Sequence, residues 1–108
     1  VEQIVALLTD DAWVTMPPEP FEYQGLAAID EFFTRAFAAR GERNDLLVPT
    51  RANGQPAFGH YIGDGHAPVV RGVGVIVLTV DGDRLSQLTR FGGAALLARF
   101  GLPRTLPA

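Results

Sequence analysis

One stretch of the chain, Leu26–Arg40, places apolar residues at the spacing of a helix. They recur every three or four positions, so they lie along one face and can be buried together. The residues on this face are Ile29, Phe32, Phe33, Ala36 and Phe37. Arg40 and Gly41 follow as a C-terminal stop signal. The pattern therefore predicts one long amphipathic helix over this stretch.

Beyond this helix the apolar residues alternate with a period of two, which is typical of β-strands. The strands that the alternation predicts are Leu46–Ala52, Gln55–Ile62, Val69–Val80 and Arg84–Phe91. Asn53-Gly54 and Asp81-Gly82 separate two pairs of them as hairpin turns, because Asn, Asp and Gly tolerate the positive φ of tight turns. We therefore predict that these strands form consecutive antiparallel pairs.

Shorter elements precede and follow this central part. The predicted ones are the end of a helix over Val1–Leu8, brief strands at Ala12–Met16 and Phe21–Gln24, and a short helix at Ala94–Phe100. The order predicts an α+β fold in which a curved, cone-shaped antiparallel sheet of about four to five strands wraps around the long helix. Short helices would flank it at the N- and C-terminal ends. The mouth of such a cone is a natural ligand site.

Composition narrows the class of protein. At 108 residues with 47% hydrophobic content, we expect one folded domain that spans residues 1–108. The absence of cysteine excludes disulfides, thiolate metal sites and a cysteine nucleophile, and it is typical of the reducing cytoplasm. Because the chain begins at Val1 within a helical pattern, we expect a domain truncated at its N-terminus and cut from a longer chain.

The charge pattern argues against nucleic acid and membrane as direct partners. The net charge is −3, and Arg35, Arg40 and Arg43 are interspersed with acidic residues rather than grouped in a basic stripe. We therefore expect no direct nucleic-acid contact. The longest apolar run, Val73–Val80, is shorter than the roughly 18 residues of a membrane helix and is rich in β-branched residues.

Candidate catalytic residues are few. His60 shares a strand face with Pro56 and Phe58, so it could act as a general base if that face lines the cone. A strand histidine that is merely exposed or hydrogen-bonded is the competing interpretation. Tyr23 and Tyr61 could offer hydroxyls, but no acidic residue within the predicted strands pairs with them.

No metal or cofactor is predicted. The two histidines, His60 and His66, are followed by no second acidic cluster that would complete a ligand set. The sequence also contains neither a P-loop nor a dinucleotide-binding fingerprint.

Aromatic and amide side chains are the predicted lining of a ligand cavity. These residues are Trp13, Phe21, Tyr23, Phe32, Phe37, Gln55, Phe58, Gln87 and Phe91. The same aromatic residues would fill the core if the cone were closed, and the sequence leaves both interpretations open.

The hairpin tip is the predicted partner contact. Pro49 and Pro56 limit backbone pairing there, because proline fits poorly into a central strand. The side chains left to meet another surface are Arg51, Asn53 and Gln55.

Several segments of the sequence, taken together, resemble a known protein family. The chain resembles the SnoaL-like branch of the nuclear-transport-factor-2-like superfamily, whose members are cone-shaped α+β domains. The segments that carry this resemblance are LLTDDAWVTMPPEP and YQGLAAIDEFF, followed by the long strands. A more specific resemblance is to the C-terminal SnoaL-like domain of actinobacterial extracytoplasmic-function (ECF) sigma factors of the sigma-G-like group. It is carried by three further segments, PTRANGQPAF, LTVDGDRLSQLTRF and RFGLPRTLP. Gly93-Ala94 stands where these domains commonly carry Asp-Pro, so no role of that aspartate transfers to this chain.

The resemblance implies a non-catalytic regulatory domain that binds a partner or a small ligand. Its partners would be the sigma-factor core domains of the same polypeptide and, through them, RNA polymerase in the cytoplasm. A stand-alone small-molecule enzyme, of the polyketide cyclase, ketosteroid-isomerase-like or epoxide-hydrolase-like kind, is the alternative. Pairing of two copies through the sheet, with Val69–Val80 as the contact strand, is compatible with either.

Overall fold

A curved sheet with one long helix forms the body of this computed structural model, which describes residues 5–17, 19–40, 44–52, 54–63 and 65–107. The elements in chain order are β1 (Leu8–Thr15), β2 (Glu22–Gln24), α1 (Leu26–Arg40), β3 (Asn44–Ala52), β4 (Gln55–Gly63), β5 (Val69–Asp81), β6 (Arg84–Gly92), a 3₁₀ helix (Ala94–Phe100) and β7 (Thr105–Pro107). The α+β class and the curved sheet are confirmed.

The strand order is β2-β1-β6-β5-β4-β3, and β7 pairs with β5 beside this path. Strands β3 to β6 form the predicted antiparallel succession. β1 instead pairs in parallel with β6, from Leu8 opposite Leu85 to Thr15 opposite Thr89. The described chain therefore has a sheet of seven strands, more than the sequence predicted, and one of its pairings is parallel.

Helix α1 packs against the strand pair at one end of the sheet. Its residue Ile29 is completely buried, together with Leu8, Ala12 and Val14 of β1. Leu85 and Leu88 of β6 pack against this group, as do Phe32 and Phe33 of α1. We call these residues the inner core. The helical face predicted from the sequence is the face that packs here.

A second group of buried residues, which we call the outer cluster, lies on the opposite face of the sheet. Its buried members are Ala57, Tyr61, Val70, Val75, Val77 and Leu97. The 3₁₀ helix covers this face, and a Cβ added at Gly59 would lie only 2.6 Å from Leu102 Cδ1. Glycine at position 59 therefore lets the C-terminal segment approach the sheet closely.

Hydrogen bonds hold the C-terminal segment on this face. Gly101 ends the 3₁₀ helix in the left-handed conformation, with φ 71°, which glycine adopts without steric cost. The Tyr61 hydroxyl donates to the carbonyl oxygen of Pro103 at 2.6 Å. The Gly72 amide donates to the carbonyl oxygen of Arg104 at 2.7 Å. Beyond this helix the chain ends in β7, which pairs antiparallel with β5.

Two boundaries differ from the sequence predictions. The first half of the predicted N-terminal helix, residues 1–4, lies outside the described residues, and Leu8 belongs to β1 rather than to that helix. β1 thus begins before the predicted strand at Ala12–Met16, because the polar residues at its centre hide the strand period. On β5, which contains the strand expected to pair two copies, the 3₁₀ helix packs against Val70, Val75 and Val77 of the outer cluster.

Tyr61 should make the fold sensitive to alkaline pH. Burial raises the pKa of its hydroxyl above the ordinary value of 10.0. The folded state therefore keeps a proton that the unfolded state loses above pH 10, so stability is intact below that pH and falls as pH rises further. The slope should approach about 1.4 kcal/mol per pH unit. Urea unfolding between pH 8 and pH 11.5 measures it.

Two variants test this assignment. The chain has two tyrosines and neither lysine nor cysteine, so few other side chains titrate near pH 10. We expect Tyr61→Phe to be less stable at pH 8, since the Pro103 carbonyl loses its donor, but to show a flatter alkaline profile. Tyr23→Phe, which leaves the contact between Tyr61 and Pro103 in place, is the matched control. An unchanged slope in Tyr61→Phe would contradict the assignment.

Candidate ligand cavity

A cavity of about 610 Å³ lies between α1 and the inner face of the curved sheet. Carbon-rich side chains form most of its wall. They are Leu7, Val14, Met16, Phe32, Phe33, Ala36, Phe37, Ala39, Leu47, Phe58, Ile62, Ile76, Leu78, Leu85 and Leu88. The other described residues of the lining are Asp45, His60 and Arg90. Its volume falls within the roughly 300–1,000 Å³ that is usual for small-molecule sites, and its wall is mainly apolar.

The aromatic part of the wall comes mainly from α1. Phe33 and Phe37 stack with ring centroids 6.0 Å apart, as expected for residues four positions apart on a helix. Phe32 also stacks on Tyr23 of β2, with centroids 4.4 Å apart. These contacts hold the rings in fixed orientations, so the cavity wall on the helix side is preorganised.

His60 and Asp45 form a polar pair inside the cavity. His60 Nε2 lies 2.9 Å from Asp45 Oδ1, and the side chains are 9% and 29% exposed. The strand register explains the contact, because Leu47 lies opposite His60 and Asp45 shares the face of Leu47 two residues earlier. His60 Nδ1 is buried and has no hydrogen-bond partner. The ring therefore turns one nitrogen to Asp45 and the other into the protein.

Arg90 brings a cation to the same cavity from β6. It lies opposite Ile76 of β5, which in turn lies opposite Phe58 of β4, so the three side chains form a row across the inner face. In the next row Gly74 lies opposite His60, and Gly92 lies opposite Gly74. A Cβ added at Gly92 would lie 3.7 Å from Arg90 Nη1, so the guanidinium extends toward the row of His60.

The structure brings only some of the predicted lining residues to the cavity. Phe32, Phe37, Phe58 and His60 line it. The lining does not include Trp13, Phe21, Tyr23, Gln55, Gln87 or Phe91. Period-two alternation groups residues by face, but it does not tell which face is concave.

Each of the other predicted lining residues has a different environment. Trp13 and Phe21 are 37% and 52% exposed. Gln55 Nε2 donates to Thr79 Oγ1 at 3.1 Å, and Gln87 Nε2 donates to Thr89 Oγ1 at 3.2 Å. Phe91 packs against the outer cluster, and Tyr23 packs behind Phe32. None of these six side chains is part of the cavity wall.

The residues predicted for partner contact lie near the β3–β4 turn. Arg51 Nη1 donates to the carbonyl oxygen of Gly54 at 3.1 Å, which fastens this exposed side chain to its own hairpin. Gln55 bonds to β5 as described above. Asn53 is outside the described residues. β3 is an edge strand, which explains how it accommodates Pro49.

Sequence reasoning missed Asp45 and the position of Arg90. Asp45 precedes the predicted strand Leu46–Ala52, so the period-two alternation did not place it on a strand face. The available signal was the two-residue offset from Leu47, which places Asp45 on the face of His60 once the hairpin register is known. Among the described residues, no group of three or more His, Asp or Glu side chains could hold a metal ion.

The described helices contain no segment long and apolar enough to cross a membrane. No family model matches the chain. The ECF RNA polymerase sigma factor SigG of Mycobacterium tuberculosis, in strains H37Rv and CDC 1551, is 34% identical over 108 residues. The match covers 98% of this chain and 28% of the sigma factor, so the chain spans little more than a quarter of that relative's length.

Comparison with solved structures identifies the fold. A protein of the SnoaL-like family from Agrobacterium tumefaciens is 14% identical, with a TM-score of 0.68 over 85% of this chain and 79% of the other. An NTF2-like protein from Cytophaga hutchinsonii is 11% identical, with a TM-score of 0.66 over 85% and 84%. A cystatin-fold protein from Novosphingobium aromaticivorans is 18% identical, with a TM-score of 0.65 over 82% and 81%. This chain therefore has the fold of the SnoaL-like and NTF2-like proteins, and nearly all of it resembles one segment of the ECF sigma factor SigG.

Proposed function

We propose that this chain is a non-catalytic regulatory domain of an ECF sigma factor, which modulates transcription initiation by binding a small molecule or a partner. The observation that carries the proposal is the similarity to SigG, which extends over 98% of this chain. On this proposal the chain is one domain of a longer polypeptide. It contacts the sigma-factor core domains and, through them, RNA polymerase in the cytoplasm.

The state of His60 favours binding over catalysis. A general base needs a nitrogen within hydrogen-bond reach of the substrate. One ring nitrogen of His60 is bonded to Asp45 and the other is buried in the protein. The predicted catalytic candidate is thus held as a structural pair in the wall of an otherwise apolar cavity.

The physical mechanism of regulation is a shift between arrangements of the domains. A ligand moves such an equilibrium only by the difference between its affinities for the two arrangements. The cavity provides a place for that difference to arise, because α1 forms one wall and the sheet forms the other. A small displacement of α1 on binding would be transmitted to any surface that the helix presents to the core domains.

One observation favours the alternative that the protein is an enzyme. His60 and Asp45 form a histidine–carboxylate pair inside the cavity, an arrangement that can serve acid–base chemistry. Two proteins of similar fold are described as a candidate isomerase and a candidate polyketide cyclase, at 14% and 16% identity. Identities this low concern the fold alone.

Deleting this domain distinguishes the two functions. In the full-length polypeptide that contains it, we expect removal of residues 1–108 to change run-off transcription about fivefold or more, the lower end of ordinary coupling energies. Intact and deleted proteins would be compared at equal concentration with the same core RNA polymerase. A promoter read by an unrelated sigma factor is the control. Unchanged transcription by a folded deletion variant would favour the enzyme alternative.

A further inference from the structure

The cavity extends along three elements of the fold. Its lining residues lie within positions 32–39 of α1, 58–62 of β4 and 85–90 of β6. At the usual rise of a helix and of a strand, these walls are about 10 to 16 Å long. The cavity is therefore long enough for an extended small molecule.

Carbon-rich side chains face the cavity from both of its long walls. On the sheet, Leu78 lies opposite Leu88 and Leu88 lies opposite Val14, so a row of aliphatic side chains crosses three strands. On the helix, Phe33 and Ala36 face the same space. Water makes no hydrogen bonds to such walls, whereas an apolar molecule gains dispersion contacts with them. An apolar occupant is therefore favoured over water here.

The volume favours a small molecule over a segment of protein. An α-helix with its side chains is about 10–12 Å in diameter, so two turns of it fill on the order of 900 Å³. The cavity holds about 610 Å³. An extended peptide is also disfavoured, because its backbone N–H and C=O groups would face carbon-rich walls without hydrogen-bond partners. The occupant that fits is a small molecule with few polar groups.

The polar side chains of the described lining have partners within the chain. His60 Nε2 lies 2.9 Å from Asp45 Oδ1. Asp45 and Arg90 each have an interaction beyond this pair. A molecule held by the carbon-rich walls needs no contact with any of these three residues.

We propose that the cavity binds a predominantly hydrocarbon small molecule, and that the apolar surface which the molecule buries determines its affinity. This inference names the ligand class for the regulatory site and in that respect rests on the proposed function. It follows from the length of the walls, the carbon-rich row that crosses the sheet and the volume between sheet and helix.

A series of uncharged ligands tests the ligand class. N-phenyl-1-naphthylamine is an uncharged probe whose fluorescence rises in apolar surroundings, and it would be titrated into the full-length protein. Displacement by 1-alkanols from 1-hexanol to 1-decanol then measures the contribution of each methylene. We expect each added methylene to strengthen binding about fourfold, as burial of one CH₂ group implies. Absence of probe binding, or displacement that is independent of chain length, would overturn the proposal.

Two alanine positions on α1 test the location. Ala36 lines the cavity, whereas Ala38 is exposed and is not among the lining residues. We expect Ala36→Phe to fill space and weaken 1-decanol binding at least about tenfold, while Ala38→Phe leaves it unchanged. Melting temperatures of both variants report whether the protein remains folded. Unchanged binding in a folded Ala36→Phe variant would exclude this cavity.

Two neighbouring leucines on β3 test the location without filling space. Leu47 is 48% exposed and lines the cavity, whereas Leu46 is 40% exposed and is not among the lining residues. Because both side chains are partly exposed, both positions should accept glutamine without loss of the fold. We expect Leu47→Gln to weaken 1-decanol binding about threefold or more, since an amide replaces part of the hydrocarbon wall, and Leu46→Gln to leave it unchanged. Equal binding by these two variants would contradict the assignment to this cavity.

The two proposals fail separately. Binding that depends on chain length and on Ala36, together with transcription that is unaffected by removal of the domain, would contradict the regulatory function and keep the ligand class. Altered transcription upon removal, together with absent or length-independent binding, would contradict the ligand class and keep the regulatory function.

Discussion

Replacing Leu97 with alanine should destabilise the fold by about 2–5 kcal/mol. Leu97 is completely buried in the outer cluster, although it lies in a seven-residue 3₁₀ helix near the end of the chain. Truncation removes methyl contacts with Tyr61 and its neighbours and leaves a cavity that the sheet cannot close. Urea unfolding at neutral pH measures the loss.

Leu46→Ala is the matched control. Leu46 is 40% exposed on the edge strand β3, so the same truncation should cost less than about 1 kcal/mol. If Leu97→Ala and Leu46→Ala destabilised the protein equally, the 3₁₀ helix would not be an integral part of the fold.

Gly74→Ala should also be strongly destabilising, by about 1–3 kcal/mol or more. Gly74 is buried in β5, and a Cβ at this position would collide with the carbonyl oxygen of Phe91 on the neighbouring strand. The obstacle is the backbone of β6 rather than a flexible side chain, so relief requires the two strands to separate. Thermal and urea unfolding measure this effect.

The glycine opposite Gly74 provides the control. A Cβ at Gly92 would meet only Arg90 Nη1, at 3.7 Å, which is ordinary contact distance. Gly92→Ala should therefore be neutral or slightly stabilising, because alanine restricts the unfolded chain more than glycine does. Equal losses in the two variants would show that β5 and β6 are not as closely apposed at this row as the structure indicates.

Local patterns were sufficient to predict most of the secondary structure. Helix α1 has the predicted bounds Leu26–Arg40, Gly54 lies in the turn between β3 and β4, and Gly82 lies in the turn between β5 and β6. In each case residues close together in the sequence determine the outcome. A helix face or a two-residue turn needs no information from distant parts of the chain.

The pairing of β1 could not be predicted in this way. Thr9, Asp10 and Asp11 interrupt the apolar alternation of β1, and its partner β6 lies near the other end of the sequence. The His60–Asp45 pair is a similar case, since it requires both the register of β3 on β4 and the knowledge that their shared face is concave. Phe91 is the opposite case. Its aromatic ring was predicted to line the cavity, but the ring packs against the outer cluster.

The parallel contact of β1 with β6 determines when the domain can finish folding. Thr15 and Thr89, whose hydroxyls are hydrogen-bonded, are 74 positions apart in the chain. Closing so long a loop reduces the conformational entropy of the chain before the favourable interactions of the contact have formed. This pairing is therefore expected to form late. During synthesis, β1, β2 and α1 leave the ribosome well before their partner strand. Because Leu85 and Leu88 of β6 form part of the cavity wall, the cavity is among the last features of the nascent domain to take shape.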